Sequence, residues 1–352
     1  MGRETNISWT DSTWNAIRGC SRVSEGCRHC YAESIAHRFS GPGLAYEGLV
    51  QLDASGKSTG KWNGQIKFLE AHLLDPLKWK EPRRIFVNSM SDLFHENVTD
   101  EMRDKIFAVM ALCPQHTFQV LTKRPERMLA YLSDDNPRYT IRRIFDAAEK
   151  IDAENGYVFD CDIYKPLSNV HLGVSVEDQK TADLRIPLLL QTPAAVRFIS
   201  AEPLLGPVNL GALKLDGPNA WTTHECKLDG LSVRSNGSPA LGWVIVGGES
   251  GAGARPMHPD WARSLRDQCK AAGVPYFFKQ WGAWTPGENV DRVTGTVDTA
   301  VWFNNEWLIG METLSNDEGH VDDQPDLYRV GTKAAGCLLD SVEHHEFPAV
   351  PA

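Results

Sequence analysis

The sequence has no apolar run long enough to span a bilayer, and no apolar leader core follows Met1. Its densest aliphatic patch, Leu188-Leu189-Leu190, stops at Gln191, Thr192 and Pro193. A basic excess is also missing. The formal net charge is −10, which argues against strong non-specific nucleic-acid binding but leaves room for a local basic groove. Eight cysteines in 352 residues do not make a disulfide framework, a device of much shorter secreted chains. These absences read as a cytoplasmic protein with reduced thiols. A hydrophobic content of 42% supports a sizeable core, in one large domain or two small ones.

What is present is a cysteine cluster. Cys20, Cys27 and Cys30 lie within eleven residues, spaced C-x6-C-x2-C. Three clustered thiols ask for a metal, yet a closed structural zinc site takes four ligands. One reading supplies the fourth from His29 or His37 and makes the protein a zinc-stabilised, non-catalytic nucleic-acid-binding or accessory protein. The other is a [4Fe–4S] cluster held through three of its irons, with the fourth iron open. An open iron can chelate the amino and carboxylate groups of S-adenosylmethionine. One electron then splits the sulfonium to give a 5′-deoxyadenosyl radical.

Along the chain, short apolar strands alternate with helical periodicity. Strands are expected at residues 84–90, 117–121, 169–176, 196–200, 243–246 and 275–279. Helices are expected at 31–39, 99–112, 125–132, 181–190 and 259–272, with Thr99 as an N-cap. Strands apolar on both faces, alternating with helices, indicate a parallel sheet. The expected fold is α/β, a partial (β/α)6-type barrel over residues 1–280. Insertions are expected near 40–66, 133–168 and 209–240, the first as a flexible cover and the second as an extra helix pair. A C-terminal subdomain is expected over 281–352, with Asn304-Asn305 as a hairpin turn and a short helix at 331–339. The polar residues follow the C-terminal ends of strands, which in a barrel form the active-site mouth. They are Ser89, Ser91 and Asp92; Thr122, Lys123 and Arg124; Glu202; and Gly247, Gly248 and Glu249.

The segment Ile17-Arg18-Gly19-Cys20 … Gly26-Cys27-Arg28-His29-Cys30-Tyr31-Ala32 resembles the cluster loop of radical S-adenosylmethionine enzymes, closest to the spore photoproduct lyase-like branch. The usual spacing in that superfamily is C-x3-C-x2-C, and here the first gap is wider. The whole chain resembles a phage and prophage family named for its three cysteines. The landmarks are Ser8-Trp9-Thr10, Trp14-Asn15, Thr122-Lys123-Arg124-Pro125, Glu202-Pro203-Leu204, Gly247-Gly248-Glu249-Ser250-Gly251, Ala254-Arg255-Pro256 and Tyr328-Arg329-Val330-Gly331. The resemblance implies a radical-type partial barrel with a [4Fe–4S] cluster on Cys20, Cys27 and Cys30, and S-adenosylmethionine as cofactor. It also implies an external electron donor, and a host-cytoplasmic location for a phage-encoded chain. It points to a nucleobase-containing substrate, such as a modified pyrimidine in DNA, and leaves isomerase, lyase and transferase outcomes open. Ser89, Ser91, Asp92, Thr122, Lys123, Glu202, Gly247, Gly248 and Glu249 are the candidate cofactor contacts. Arg124, Arg255, Lys279 and Trp281 are the candidate substrate contacts, since arginine beside tryptophan suits a phosphate and a stacked base. For Trp281, Trp284, Trp302 and Trp307, ordinary hydrophobic packing is the competing reading.

Overall fold

The computed structural model describes residues 5–133, 137–155, 166–214, 227–232, 240–290, 294–314 and 327–349. Contacts divide the chain into two compact units. The first is Met1–Ser175 with Arg185–Phe198 and Ala349–Ala352; the second is Val176–Leu184 with Ile199–Pro348.

The first unit is built on strands β1 (Ser12–Trp14), β2 (Arg84–Val87), β3 (Thr117–Thr122) and β4 (Val170–Ser175). They pair in parallel, in that order. Strand β5 (Val196–Ala201) follows β4 in the sheet, and its residues divide between the two units. The strands are apolar for a reason. Every residue of β4 is buried, as expected for a strand covered on both faces. Gly173 within it leaves room for Phe198, whose ring would stand 2.5 Å from an added Cβ.

Helices connect the strands: α1 (Tyr31–Arg38), α2 (Asp100–Ala111), α3 (Pro125–Leu132) and α4 (Pro137–Asn155). The expected N-cap of α2 is present, with Thr99 Oγ1 accepting from the Met102 amide at 3.3 Å. Its buried side includes Ile106, Phe107 and Met110. Of the helix pair expected over 133–168, one helix, α4, is described, packed through Ala148 on Ala108 and Leu112. Residues 134–136 and 156–165 and the side chain of Arg138 lie outside the described residues.

The segment 40–66 differs from the flexible cover expected there. Val50–Leu52 and Ser58–Trp62 form an antiparallel pair. Tyr46, Leu49, Val50 and Trp62 pack on Ala32 and Ala36 of α1 and on Met90, with Cys20 and Cys30 against the same cluster. Glycine and lysine between these apolar residues hide the periodicity. The segment is a packed wall of the cysteine loop.

The second unit contains the end of β5, then β6 (Trp243–Gly247) and β7 (Tyr276–Gln280), the last two paired in parallel. Helix α5 (Gln179–Gln191) divides between the units, as β5 does. Helix α6 (Pro259–Ala272) joins β6 to β7, over the range the sequence predicts. It ends at Gly273 in the left-handed conformation, φ 67°, as helix C-termini commonly do. Leu213–Lys214 pairs with Lys227–Leu228 inside the expected 209–240 loop; residues 215–226 and 233–239 lie outside the described residues.

The unit also takes in the residues after 280. Strands β8 (Trp284–Pro286), β9 (Gly295–Phe303), β10 (Glu306–Leu314) and β11 (Leu327–Arg329) form a sheet in the order β8-β11-β9-β10. The expected turn joins β9 to β10: Asn304 and Asn305 have φ of 50° and 64°, the positive pair a two-residue hairpin requires. Trp302 and Trp307 face each other across it, 5.0 Å apart, and Trp261 of α6 lies 5.2 Å from Trp302. These tryptophans pack on one another. The short helix expected over 331–339 is shorter, Thr332–Ala335. The α/β class with parallel strands stands. Among the described residues, no helix is long and apolar enough to cross a membrane.

Candidate metal centre

The cysteine loop lies where the sequence puts it, between β1 and α1 in the first unit. Its entry is fixed by Ile17-Arg18, which pairs antiparallel with Lys67-Phe68. Gly19 follows with φ 94°, and a Cβ there would stand 2.2 Å from the Gln65 carbonyl oxygen. Only glycine fits that approach. Gly19 bridges to Ser91 and donates its N–H to the Met90 carbonyl at 3.3 Å. Cys27 ends a single 3-10 turn, Glu25–Cys27. Cys30 is the N-cap of α1.

Asp92 and Arg124 hold the loop from the strand ends. Asp92 Oδ1 accepts from Thr122 Oγ1 at 2.8 Å and the Phe94 amide at 2.9 Å. Its Oδ2 accepts from the Lys123 amide at 3.1 Å and Arg124 Nη1 at 3.0 Å. Arg124 Nη2 then donates to Ser21 Oγ at 2.7 Å and the Ser21 carbonyl at 3.2 Å, while Nε donates to Glu96 at 3.1 Å. Nη1 also reaches Cys20 Sγ at 4.0 Å. Ser21 Oγ is saturated. It donates to Glu96 Oε1 at 2.7 Å and lies 3.0 Å from His95 Nε2. His95 Nδ1 accepts from the Asn97 amide, which assigns the proton to Nε2. A second brace follows: Arg22 forks onto buried Glu33 of α1, which also accepts from the Trp62 amide at 3.0 Å.

The three thiols are free and partly buried. Burial, then the nearby Asp92 carboxylate, pushes the Cys20 thiol up to about 12, and Arg124 opposes the rise. Burial also raises Cys30, against the backbone N–H groups of Glu33 and Ala32 at the head of α1. Such thiols keep their protons at neutral pH unless a metal displaces them. Among the described residues, no three His, Cys, Asp or Glu side chains converge on a single ion. The donor set still fits an iron–sulfur cluster: three thiols on one loop, a helix N-terminus at one and a guanidinium at another. His37, a possible fourth zinc ligand, has Nδ1 2.7 Å from Ser58 Oγ.

The serine, threonine and aspartate candidates in this unit are hydrogen-bonded within the scaffold. Ser89 Oγ lies 3.2 Å from Asn15 Nδ2, and Ser91 Oγ donates to the Ile17 carbonyl at 3.1 Å. Thr122 Oγ1 donates to Asp92 and accepts from the Arg124 amide at 2.9 Å. Asp92, read from sequence as a ligand contact, is a structural hub. Lys123 has its amide on Asp92 and its side chain half-buried.

The second-unit candidates form two ion pairs. Glu202 meets Lys279 at 2.5 Å. Gly247 lies beside that carboxylate, and a Cβ there would stand 3.4 Å from Glu202 Cδ. Glu249 is buried and takes a fork from Arg255, at 2.7 Å from Nη2 and 2.9 Å from Nε. Gly248 is required by packing, since an added Cβ would stand 1.9 Å from the Trp281 carbonyl oxygen. Trp281 is 1% exposed, donates its indole N–H to the Leu338 carbonyl at 2.7 Å and meets Phe278 edge-on. This is an interior packing position, with no exposed face on which a base could stack, unlike the substrate-stacking role expected for Trp281.

Sequence reasoning missed Ser21, Arg22, Glu33, His95 and Glu96. Only Glu33 carried a signal, as the acidic residue in the first turn of α1. No curated protein matches this chain, and no solved structure does. A family match covers residues 4–348, nearly the whole length, and by it the chain belongs to DUF5131, described as a protein of unknown function.

Proposed function

We propose that this chain is a radical S-adenosylmethionine enzyme on a partial α/β barrel, with a [4Fe–4S] cluster held by Cys20, Cys27 and Cys30. The observation that carries the reading is the loop: three free thiols between a parallel strand and its helix, gripped by a buried arginine–aspartate pair. When bound, the cluster and S-adenosylmethionine supply one-electron cleavage of the sulfonium, a source of carbon radicals. The chain's own residues do the holding. Arg124 and Asp92 orient Cys20, and the α1 amides face Cys30. The apolar wall of Met90, Trp62 and Tyr46 limits water at Cys20 and Cys30. Lys123, with its amide fixed on Asp92, is the candidate for the cofactor carboxylate. A nucleobase is the proposed substrate class, on the strength of the resemblance in the cysteine loop, and an external carrier supplies the electron.

The test is anaerobic reconstitution with iron and sulfide. The expected result is a brown protein with about four irons and four sulfides per chain, forming 5′-deoxyadenosine from S-adenosylmethionine under reduction. Replacing any one of Cys20, Cys27 or Cys30 with alanine abolishes both. A colourless protein that binds one zinc and never forms 5′-deoxyadenosine would sink the reading and favour a zinc-stabilised accessory protein.

A further inference from the structure

We propose that Arg124 is a positioning residue: it holds Cys20 as a ligand and raises the reduction potential of the metal group on the three thiols. The inference rests on the cluster reading above. It also changes the role the sequence suggests for Arg124, which was substrate contact.

The argument begins with donor count. A guanidinium has five N–H donors in a fixed fork. Five acceptors surround Arg124 within the unit: Asp92 Oδ2 and Cys20 Sγ at Nη1, the Ser21 carbonyl and Oγ at Nη2, and Glu96 Oε2 at Nε. The donors are matched, and the residue is buried. None is left for a substrate phosphate. The fork instead grips two consecutive loop residues, Cys20 and Ser21, and ties them to the strand-end carboxylate Asp92. A lysine has three donors at one point and cannot span these positions.

The electrostatic consequence has a definite sign. Reduction adds negative charge to an iron–sulfur group, and an N–H donor or positive charge at a ligand sulfur favours the reduced state. Arg124 also offsets two carboxylates, Asp92 and Glu96, which face the same loop residues. Without Arg124 the Asp92 carboxylate keeps its Thr122, Phe94 and Lys123 donors but loses its cationic partner beside Cys20, and the potential falls.

The experiment compares wild type, Arg124→Met and Arg124→Lys after anaerobic reconstitution. It reads iron and sulfide per chain, circular dichroism, resonance Raman iron–sulfur stretches and an EPR-monitored redox titration. The expected result is a shift to lower potential in Arg124→Met and a smaller one in Arg124→Lys, with altered stretches in both. A folded Arg124→Met that loads no iron also supports the positioning role. An unchanged potential and unchanged stretches in a loaded variant overturn the proposal while the cluster reading survives. If Arg124→Met does not fold, Arg124→Lys alone decides by the same criteria. A wild type that takes up no iron overturns the cluster reading, and the proposal with it.

Discussion

Asp92→Asn tests the scaffold without any metal. Asp92 and Arg124 are both 8% exposed at the side chain and 3.0 Å apart. Removing one partner of a buried pair leaves an uncompensated charge, which typically costs 3–5 kcal/mol. Two features moderate this. Glu96 still faces Arg124, though its side chain is 52% exposed. The asparagine also keeps one oxygen for Thr122 and Phe94. It loses the acceptor for the Lys123 amide and turns an N–H toward a guanidinium, about 1 kcal/mol for the lost bond. The net expectation is a loss of about 3 kcal/mol. Arg124→Met should cost about 2 kcal/mol, because Asp92 retains its Thr122, Phe94 and Lys123 donors. The assay is equilibrium urea unfolding of both single variants and the double variant. The double variant should be more stable than the sum of the single losses by at least about 1 kcal/mol, because the second substitution removes the orphaned charge. A loss below about 1 kcal/mol for Asp92→Asn, or additivity within about 0.5 kcal/mol, would falsify the account of this pair as the hub.

Gly19→Ala combines a left-handed backbone with a Cβ driven at the Gln65 carbonyl. It should destabilise by about 2–4 kcal/mol, read as a lowered melting temperature and reduced iron loading; wild-type behaviour in both would refute the close approach. Asp11 gives a pH prediction. The Arg84 guanidinium, bonded at 2.7 Å, holds its carboxyl below the ordinary value. A depressed carboxylate stabilises the fold above its unfolded pKa, near 3.9, and that contribution disappears as pH falls through the lower folded value. Both side chains are more than a third exposed, so the pair is worth only about 0.2–1 kcal/mol. Asp11→Asn should therefore be slightly less stable than wild type at neutral pH and equal to it in strong acid. A gap that grows toward acid would contradict the sign.

Much of this structure was legible in the sequence, and the exceptions have one cause. Helix α6 could be read from Pro259 and the glycine at 273, and α2 from its Thr99 cap, because these signals are local. Asn304-Asn305 marked its hairpin for the same reason. The cysteine loop could be placed between strand and helix because apolar runs flank it. The packed wall at 50–62 was missed because Tyr46, Leu49 and Trp62 sit among glycines and lysines. Their partners, Ala32, Ala36 and Met90, are distant in sequence. The polar strand ends were found, yet most were assigned to ligands. A serine or aspartate after a strand looks the same whether it meets a cofactor or braces a loop. Ser89 meets Asn15 and Asp92 meets Arg124, and neither pairing is visible from one segment alone.

The braces leave one stretch of the loop exposed. Arg124 fixes Cys20 and Ser21, and the Arg22–Glu33 fork fixes the far side against α1. Cys30 is tied in as the helix cap. Between them, Val23 is 45% exposed and the Glu25–Cys27 turn has no buried residue. Glu25 pairs with Arg28 at the surface, with side chains 76% and 62% exposed, and such pairs contribute little. Local opening free energy follows burial and backbone protection. Amides from Ser24 to Arg28 should therefore exchange with deuterium far faster than those of α1 in the metal-free protein. On the proposed cluster reading Cys27 would be the last ligand to be ordered, and loading with iron and sulfide should slow this segment most. Equal exchange across residues 19–30, or unchanged exchange at 24–28 in protein shown to hold iron, would mean that Cys27 is either preset or not a ligand.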